Sequence, residues 1–250
     1  MKALITGASS GIGREIARQL SAMGIDVILV ARRMARLQEL KEELDGNVSI
    51  ISMDLSDENS CKMLYERLKD EEIDILVNDA GFGVYGFFDE TDLDRELEMI
   101  NVNVKAVHIL TKLFLRDFIA RDYGYILNVA SLAGYVPGPL MASYYAGKAY
   151  VLRLSEAIYG ELKRKKCNVH ITALCPGPVP TEFNQVANVH FFLKGMKTEK
   201  VAEQAIRGMF DEQRVVVPGW LMKCGRALTR ITPVHLQLSA SYFIQQRKIK

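Results

Sequence analysis

Cysteine is scarce in this chain of 250 residues, and its four copies are scattered. Cys61, Cys167, Cys175 and Cys224 form no CxxC pair. That excludes the paired-thiol motifs and reads as reduced, mostly buried thiols of a cytoplasmic protein. Histidine is equally sparse: His108, His170, His190 and His235 stand in no HExxH or related ligand spacing, so no metal site is expected. No uninterrupted apolar run reaches the ~18 residues needed to span a bilayer. No signal peptide is expected either, because the apolar run at 2–6 reads as a first strand leading straight into a glycine loop, and cleavage there would destroy it. Charge of one sign is also missing. With 32 basic and 30 acidic residues the net charge is +2, so no global field argues for nucleic acid and any anion site must be local.

What is present is an ordinary globular composition, 49% apolar and 25% charged, in an alternating pattern. After the first strand, apolar and β-branched runs recur at 25–31, 47–53, 73–78, 124–130, 168–175 and 214–218. Their near-continuous apolarity suits strands buried on both faces of a parallel sheet. Helical segments fall between them, at about 11–23, 34–45, 57–71, 92–120, 143–166 and 198–210. Alternation of this kind predicts an α/β fold, a doubly wound parallel sheet of the Rossmann type with right-handed crossovers, in one domain over 1–250. Residues 220–250 break the pattern and read as a helical extension of two short helices, the second with Pro233 near its first turn. Trp220, Leu221, Leu228, Leu236, Leu238, Tyr242, Phe243 and Ile244 suit packing against the domain or another subunit. Arg247, Lys248 and Lys250 read as a solvated basic tail, with a membrane-surface role as the alternative.

Gly7-Ala8-Ser9-Ser10-Gly11-Ile12-Gly13 follows Thr6 at the first strand–helix junction. Glycines there permit a tight turn and close backbone approach to a phosphate, and the helix N-terminus offers unpaired N–H groups and the positive end of its dipole. The end of the second strand bears on which dinucleotide is bound. An acidic residue would hold the ribose hydroxyls of NAD, whereas this chain has Ala31-Arg32-Arg33. Guanidinium groups pair with phosphate, so Arg32, helped by Arg33, predicts NADP(H). A hydroxyl from Ser9 or Ser10 could join the 2′-phosphate contact.

Tyr144 and Lys148 stand four residues apart in a helical segment, on one face. A phenol, with an unperturbed pKa near ~10, needs help to act as acid or base near neutrality, and a neighbouring ammonium provides it. Ser131 lies thirteen residues earlier, at the carboxyl end of a strand, where ligands bind in open α/β sheets.

These features, in this order, resemble the short-chain dehydrogenase/reductase family in its common form of ~250 residues. The matching segments are the loop at 6–13, Asp54-Leu55 after the third strand, Asn78-Asp79-Ala80-Gly81 after the fourth, Asn103, Ser131, the pair Tyr144 and Lys148, and Pro176-Gly177-Pro178-Val179-Pro180-Thr181. They cover roughly residues 1–185. The resemblance implies that Tyr144 is the general acid in reduction and the base in oxidation. Lys148 lowers the tyrosine pKa and binds the nicotinamide ribose, Ser131 orients the carbonyl, and Asn103 holds a water in a proton relay. It further implies that Asp54 and Leu55 contact adenine and that Asn78, Ala80 and Gly81 line the cofactor. Pro176 and Gly177 lead into Val179 and Thr181, which meet the carboxamide. One position departs from the pattern: Asp79 stands where the family has a second Asn. A carboxylate accepts the same backbone hydrogen bonds but donates none and brings negative charge, so Asp79 is not counted among the contacts.

The substrate side is expected at 82–88 (Phe82, Tyr85, Phe87 and Phe88), with 132–137 opposite, and in a lid at about 182–197 bearing Phe183, Phe191 and Phe192. The aromatics point to a hydrophobic ketone, aldehyde or alcohol, lipid- or steroid-like, with core or subunit contacts as the alternative. The leading expectation is therefore an NADP(H)-dependent oxidoreductase, a homodimer or homotetramer as family members commonly are. A non-catalytic NADP-binding redox sensor is the second reading. Epimerisation or dehydration on the same fold is the third.

Overall fold

A computed structural model describes residues 1–187 and 195–246. Seven parallel strands form one sheet in the order β3-β2-β1-β4-β5-β6-β7. They are β1 (Lys2–Thr6), β2 (Asp26–Ala31), β3 (Val48–Ser52), β4 (Ile75–Asn78), β5 (Gly124–Val129), β6 (Val169–Leu174) and β7 (Val215–Val216). β7 is shorter than the apolar run at 214–218, because Pro218 has no N–H for the ladder and Gly219 turns the chain at φ +85°. The helices are α1 (Gly11–Ala22), α2 (Met34–Glu43), α3 (Glu58–Leu68), α4 (Leu93–Ile100), α5 (Val107–Ala120), α6 (Ala142–Lys165), α7 (Glu182–Val186), α8 (Thr198–Phe210), α9 (Trp220–Thr229) and α10 (Val234–Gln246).

Period-two alternation places the core on both faces of the sheet. In β1, Ala3 and Ile5 enter the cluster built on Ile16, Leu20 and Ile206, while Leu4 enters the opposite one with Leu64, Phe114 and Phe118. In β2, Val27 and Leu29 join the first cluster and Ile28 and Val30 the second. Helices cap themselves as their sequences allow. The Asp57 carboxylate accepts the N–H groups of Asn59 and Ser60 at the start of α3. Lys163, Arg164 and Lys165 crowd the negative end of α6. The expected helix at 92–120 is two helices joined by a π-helical stretch, Asn101–Ala106. Among the described residues, no helix is long and apolar enough to cross a membrane.

Strand order reverses between β1 and β4, so the chain leaves the sheet in opposite directions from these neighbours and a crevice opens at their carboxyl ends. A cavity of about 720 Å³ occupies that crevice.

Candidate active site

The floor of the cavity is the glycine loop. Gly7 and Gly11 have φ of +72° and +61°, which a side chain would strain. A Cβ on Gly7 would also stand 2.7 Å from the backbone nitrogen of Ala80. The N-cap residue Ser10 makes no capping hydrogen bond with its side chain, so the first two N–H groups of α1, those of Gly11 and Ile12, remain available to a ligand's phosphates. The strand ends are tied beneath the loop by Thr6. Its hydroxyl donates to the Val77 carbonyl at 3.2 Å and accepts the N–H groups of Asp79 and Ala80 at 3.1 and 3.3 Å.

Asp79 closes the other side. Its buried carboxylate accepts the Gly13 N–H at 2.7 Å. Burial pushes this carboxyl up, against the opposing pull of Lys148 and of the Gly13 hydrogen bond. The residue that departs from the family pattern therefore makes the backbone contact an amide oxygen could make, and it also lines the cavity.

Arg32 and Arg33 flank the mouth at the end of β2, both half-exposed. Arg32 pairs with Glu98 at 2.8 Å and faces Asp54 at 3.7 Å. Arg33 pairs with Glu182 at 2.7 Å and donates to the Ser9 hydroxyl at 3.1 Å. The arginine that joins the glycine loop is thus Arg33. Ser9, Ser10, Ile12, Leu55 and Gly81 also line the wall, as do Pro176, Gly177, Val179 and Thr181.

Ser131 and Tyr144 stand together on the cavity wall, the Ser131 side chain near enough to the phenol to draw its pKa down. Ser131 follows β5, and its Oγ also accepts the Ala133 N–H at 3.1 Å. Tyr144 lies in the first turn of α6. One turn on, the buried Lys148 donates from Nζ to the Val129 carbonyl at 2.7 Å, which places its ammonium 5.8 Å from the Tyr144 ring centre. Burial lowers the Lys148 pKa, and Asp79 opposes that shift. In the protein alone, burial raises the Tyr144 phenol above its ordinary value, the neighbouring Ser131 side chain opposing it. The phenol is therefore held neutral, the form that donates a proton.

Three expected residues lie off the cavity wall. Asn78 turns its amide toward α5, donating to Thr111 Oγ1 of that helix at 3.2 Å and to Asn128 Oδ1 of β5 at 2.9 Å, so its side chain is held between sheet and helix rather than in the crevice. Gly13 gives its N–H to Asp79, and a Cβ there would meet that carboxylate at 2.6 Å. Asn103, in the π-helical stretch, is clamped by Phe82, whose N–H it accepts at 3.0 Å and whose carbonyl it donates to at 2.8 Å. Both ends of its amide are therefore engaged by backbone. A Cβ on Gly81 would lie 2.8 Å from Asn103 Oδ1 and 3.7 Å from Lys148 Nζ, so these two groups converge on Gly81.

Comparison with known proteins gives this constellation a family. The family model for short chain dehydrogenases matches residues 1–190. The chain belongs to the short-chain dehydrogenase family. It is accordingly an oxidoreductase. It is 29% identical to a very-long-chain 3-oxoacyl-CoA reductase of Anas platyrhynchos, over 99% of this chain and 82% of that one. Among solved structures it is similar to a short-chain dehydrogenase from Sphingobium yanoikuyae in complex with NADPH. That pair has a TM-score of 0.81 and 28% identity, covering 93% of this chain and 96% of the other. It is also similar to the bulky-bulky ketone specific alcohol dehydrogenase from Comamonas testosteroni, with a TM-score of 0.77 and 27% identity, covering 93% and 94%.

Several wall residues of this short-chain dehydrogenase were not expected from its sequence. Met141 and Tyr145 face the cavity, and so do Phe243 and Ile244 of α10; Asn184, which also faces it, falls in the expected lid. Tyr145 stands beside the YxxxK tyrosine without belonging to its i, i+4 face, and α10 carries no motif at all. Phe183 does join the site, its ring centre 5.3 Å from that of Tyr144. Phe191 and Phe192, with the middle of the expected lid, lie outside the described residues, as do Arg247, Lys248 and Lys250. Phe87 and Phe88 are exposed rather than part of the wall.

Proposed function

We propose that this enzyme uses NADP(H) to interconvert a bulky apolar ketone or aldehyde and its alcohol. The observation that carries the reading is one cavity that has Ser131, Tyr144 and Lys148 on its wall together with Arg32 and Arg33. The cradle suits a dinucleotide: bare backbone at Gly7 and Gly11, the Gly11 and Ile12 N–H groups at the start of α1, and two guanidinium groups on the wall for a 2′-phosphate. Bound there, NADPH supplies the hydride. Ser131 holds the carbonyl oxygen, and Tyr144 gives that oxygen its proton as the alcohol forms. Lys148 holds its ammonium beside the phenol through the Val129 carbonyl, and as an ammonium it stabilises the phenolate that remains. In oxidation the same groups run in reverse. Asn103, clamped by Phe82, acts at one remove by keeping the Gly81 side of Lys148 in place.

The substrate end is apolar, with Phe82, Met141, Phe183 and Ile244 on its wall. The named specificity of the Comamonas relative is for bulky ketones, which supports the same substrate class here. All four cysteines are free thiols, which suits a cytoplasmic location, and we infer a homodimer or homotetramer from the family's habit.

The test is NADPH consumption over a panel of ketones graded in size. Wild type should favour bulky apolar members, and Tyr144→Phe should lose about 10²–10⁴-fold in kcat with NADPH affinity retained. NADH should bind more weakly than NADPH, and Arg33→Ala should narrow the gap. Equal rates in wild type and Tyr144→Phe would overturn the catalytic assignment. Tighter binding of NADH would overturn the cofactor. NADPH binding with no turnover on any member would point to a redox sensor instead.

A further inference from the structure

From the α9–α10 surface we infer that this enzyme docks peripherally on an anionic lipid bilayer. The inference does not depend on the catalytic reading. Its first support is charge. All 30 acidic residues lie within residues 1–212, and Glu212 is the last of them. The remainder carries Arg214, Lys223, Arg226, Arg230, Arg247, Lys248 and Lys250 and no acid. A chain of net charge +2 thus gathers its unbalanced positive charge in one segment.

The second support is the exposed face of that segment. α9 packs inward through Met222, Arg226 and Thr229, with the Arg226 guanidinium 5.2 Å from the centre of the Tyr135 ring. Its outward face carries Trp220, Cys224, Leu228 and, just beyond the helix, Ile231, at helical spacing. Trp220 is 72% exposed and Ile231 79%. Val234, Leu236 and Leu238 of α10 are exposed as well. Water-facing helices ordinarily reverse this arrangement, and exposed apolar side chains gathered on one helix face mark a contact with another phase or molecule.

Behind the apolar face lies a basic groove between α8 and α9. Arg207 and Arg214 there pair with Asp211 and Glu156. Lys223, Arg226 and Arg230 also line it, and among the described residues no carboxylate forms an ion pair with any of these three. Cations beside an exposed Trp and several aliphatics are the chemistry of an interfacial helix on anionic headgroups. A second copy is a poorer occupant, since a twofold contact through this face would set like charge against like.

Trp220 is the only tryptophan of the chain and sits at the tip of the proposed surface, so its fluorescence reports docking directly. Phosphatidylcholine vesicles containing about a third phosphatidylserine should shift its emission to the blue and carry the protein down on sedimentation. Pure phosphatidylcholine should do neither, and high salt should reverse the effect. The double variant Lys223→Glu, Arg230→Glu should weaken vesicle partition by roughly tenfold or more. Leu228→Asp with Ile231→Asp should remove the blue shift. All four positions are exposed, so the melting curves should match wild type. The inference is overturned if anionic vesicles leave the Trp220 emission and the pellet unchanged, or if partition is equal for neutral vesicles or for the charge-reversed variant. Dissociation of an oligomer by the Leu228 and Ile231 substitutions, without vesicle binding by wild type, would assign the face to a second copy. None of these readouts requires turnover.

Discussion

Asp79 shows how much one atom's environment decides. Its carboxylate is buried between the Gly13 N–H and Lys148, and burial raises its pKa above the ordinary carboxylate range. A group raised in this way holds its proton more tightly folded than unfolded. Its contribution to stability is therefore complete below the unfolded pKa and is lost as the pH rises through the folded one. Lys148 is displaced the other way, so its contribution is complete above the ordinary lysine value and is lost as the pH falls through its folded pKa. Asp79→Asn keeps an oxygen for Gly13, removes the first titration and deprives Lys148 of its counter-charge. Both changes favour the variant at higher pH. Thermal melts of the two proteins should show the Tm of Asp79→Asn gaining on wild type from about pH 4 upward through neutrality. A constant difference across that range would mean that the carboxyl does not change protonation on folding. The position was readable in the sequence as a departure, but its partners were not, since Gly13 and Lys148 lie 66 and 69 residues away in opposite directions along the chain.

The elements were legible where periodicity is strong. Buried strands and long helices announce themselves through runs and repeats, and the seven strands fall within a few residues of the apolar segments that mark them. The π-helical stretch was not legible, because one extra residue per turn leaves no local composition signal; it is visible only once Asn103 is seen clamped by Phe82. The glycine loop carries a prediction at this scale. Gly13→Ala drives a Cβ to 2.6 Å from the Asp79 carboxylate and 2.9 Å from the Gly7 carbonyl, so the loop must shift. A loss of about 1–3 kcal/mol in urea melts is expected, with weaker dinucleotide binding. Gly160→Ala is the control: it lies within α6 with nothing within 4 Å of its added methyl, and a gain of about 0.5–1 kcal/mol is expected. Equal effects of the two substitutions would refute the close-approach argument for the loop.

Across the whole molecule, the C-terminal helix reaches back to the site. The Gln245 amide donates to the Tyr145 hydroxyl, and Tyr85 donates to the Gln245 carbonyl at 3.2 Å. Three segments widely separated in sequence thereby hold Phe243 and Ile244 against the cavity. Gln245→Ala leaves the buried Tyr145 hydroxyl without this partner, at a cost of about 1–3 kcal/mol, and loosens that wall. Under the proposed function, steady-state kinetics should show KM for a bulky apolar ketone rising several-fold while NADPH affinity stays at the wild-type value. An unchanged KM would show that α10 does not bound the substrate.

The amino-acid sequence by itself determined the α/β class, the positions of the strands and helices, and the placing of a glycine loop, a serine and a Tyr–Lys pair at strand–helix junctions. Each of these is written in local periodicity or in residues a few positions apart, where backbone geometry converts spacing directly into direction. Only the tertiary structure decided that Asn78 turns its amide to α5 and β5, that Arg33 is the arginine meeting Ser9, that Asp79 locks the glycine loop, and that α10 walls the cavity while baring an apolar, acid-free flank. Those outcomes depend on which distant side chains share a desolvated space, and packing sets that rather than spacing along the chain.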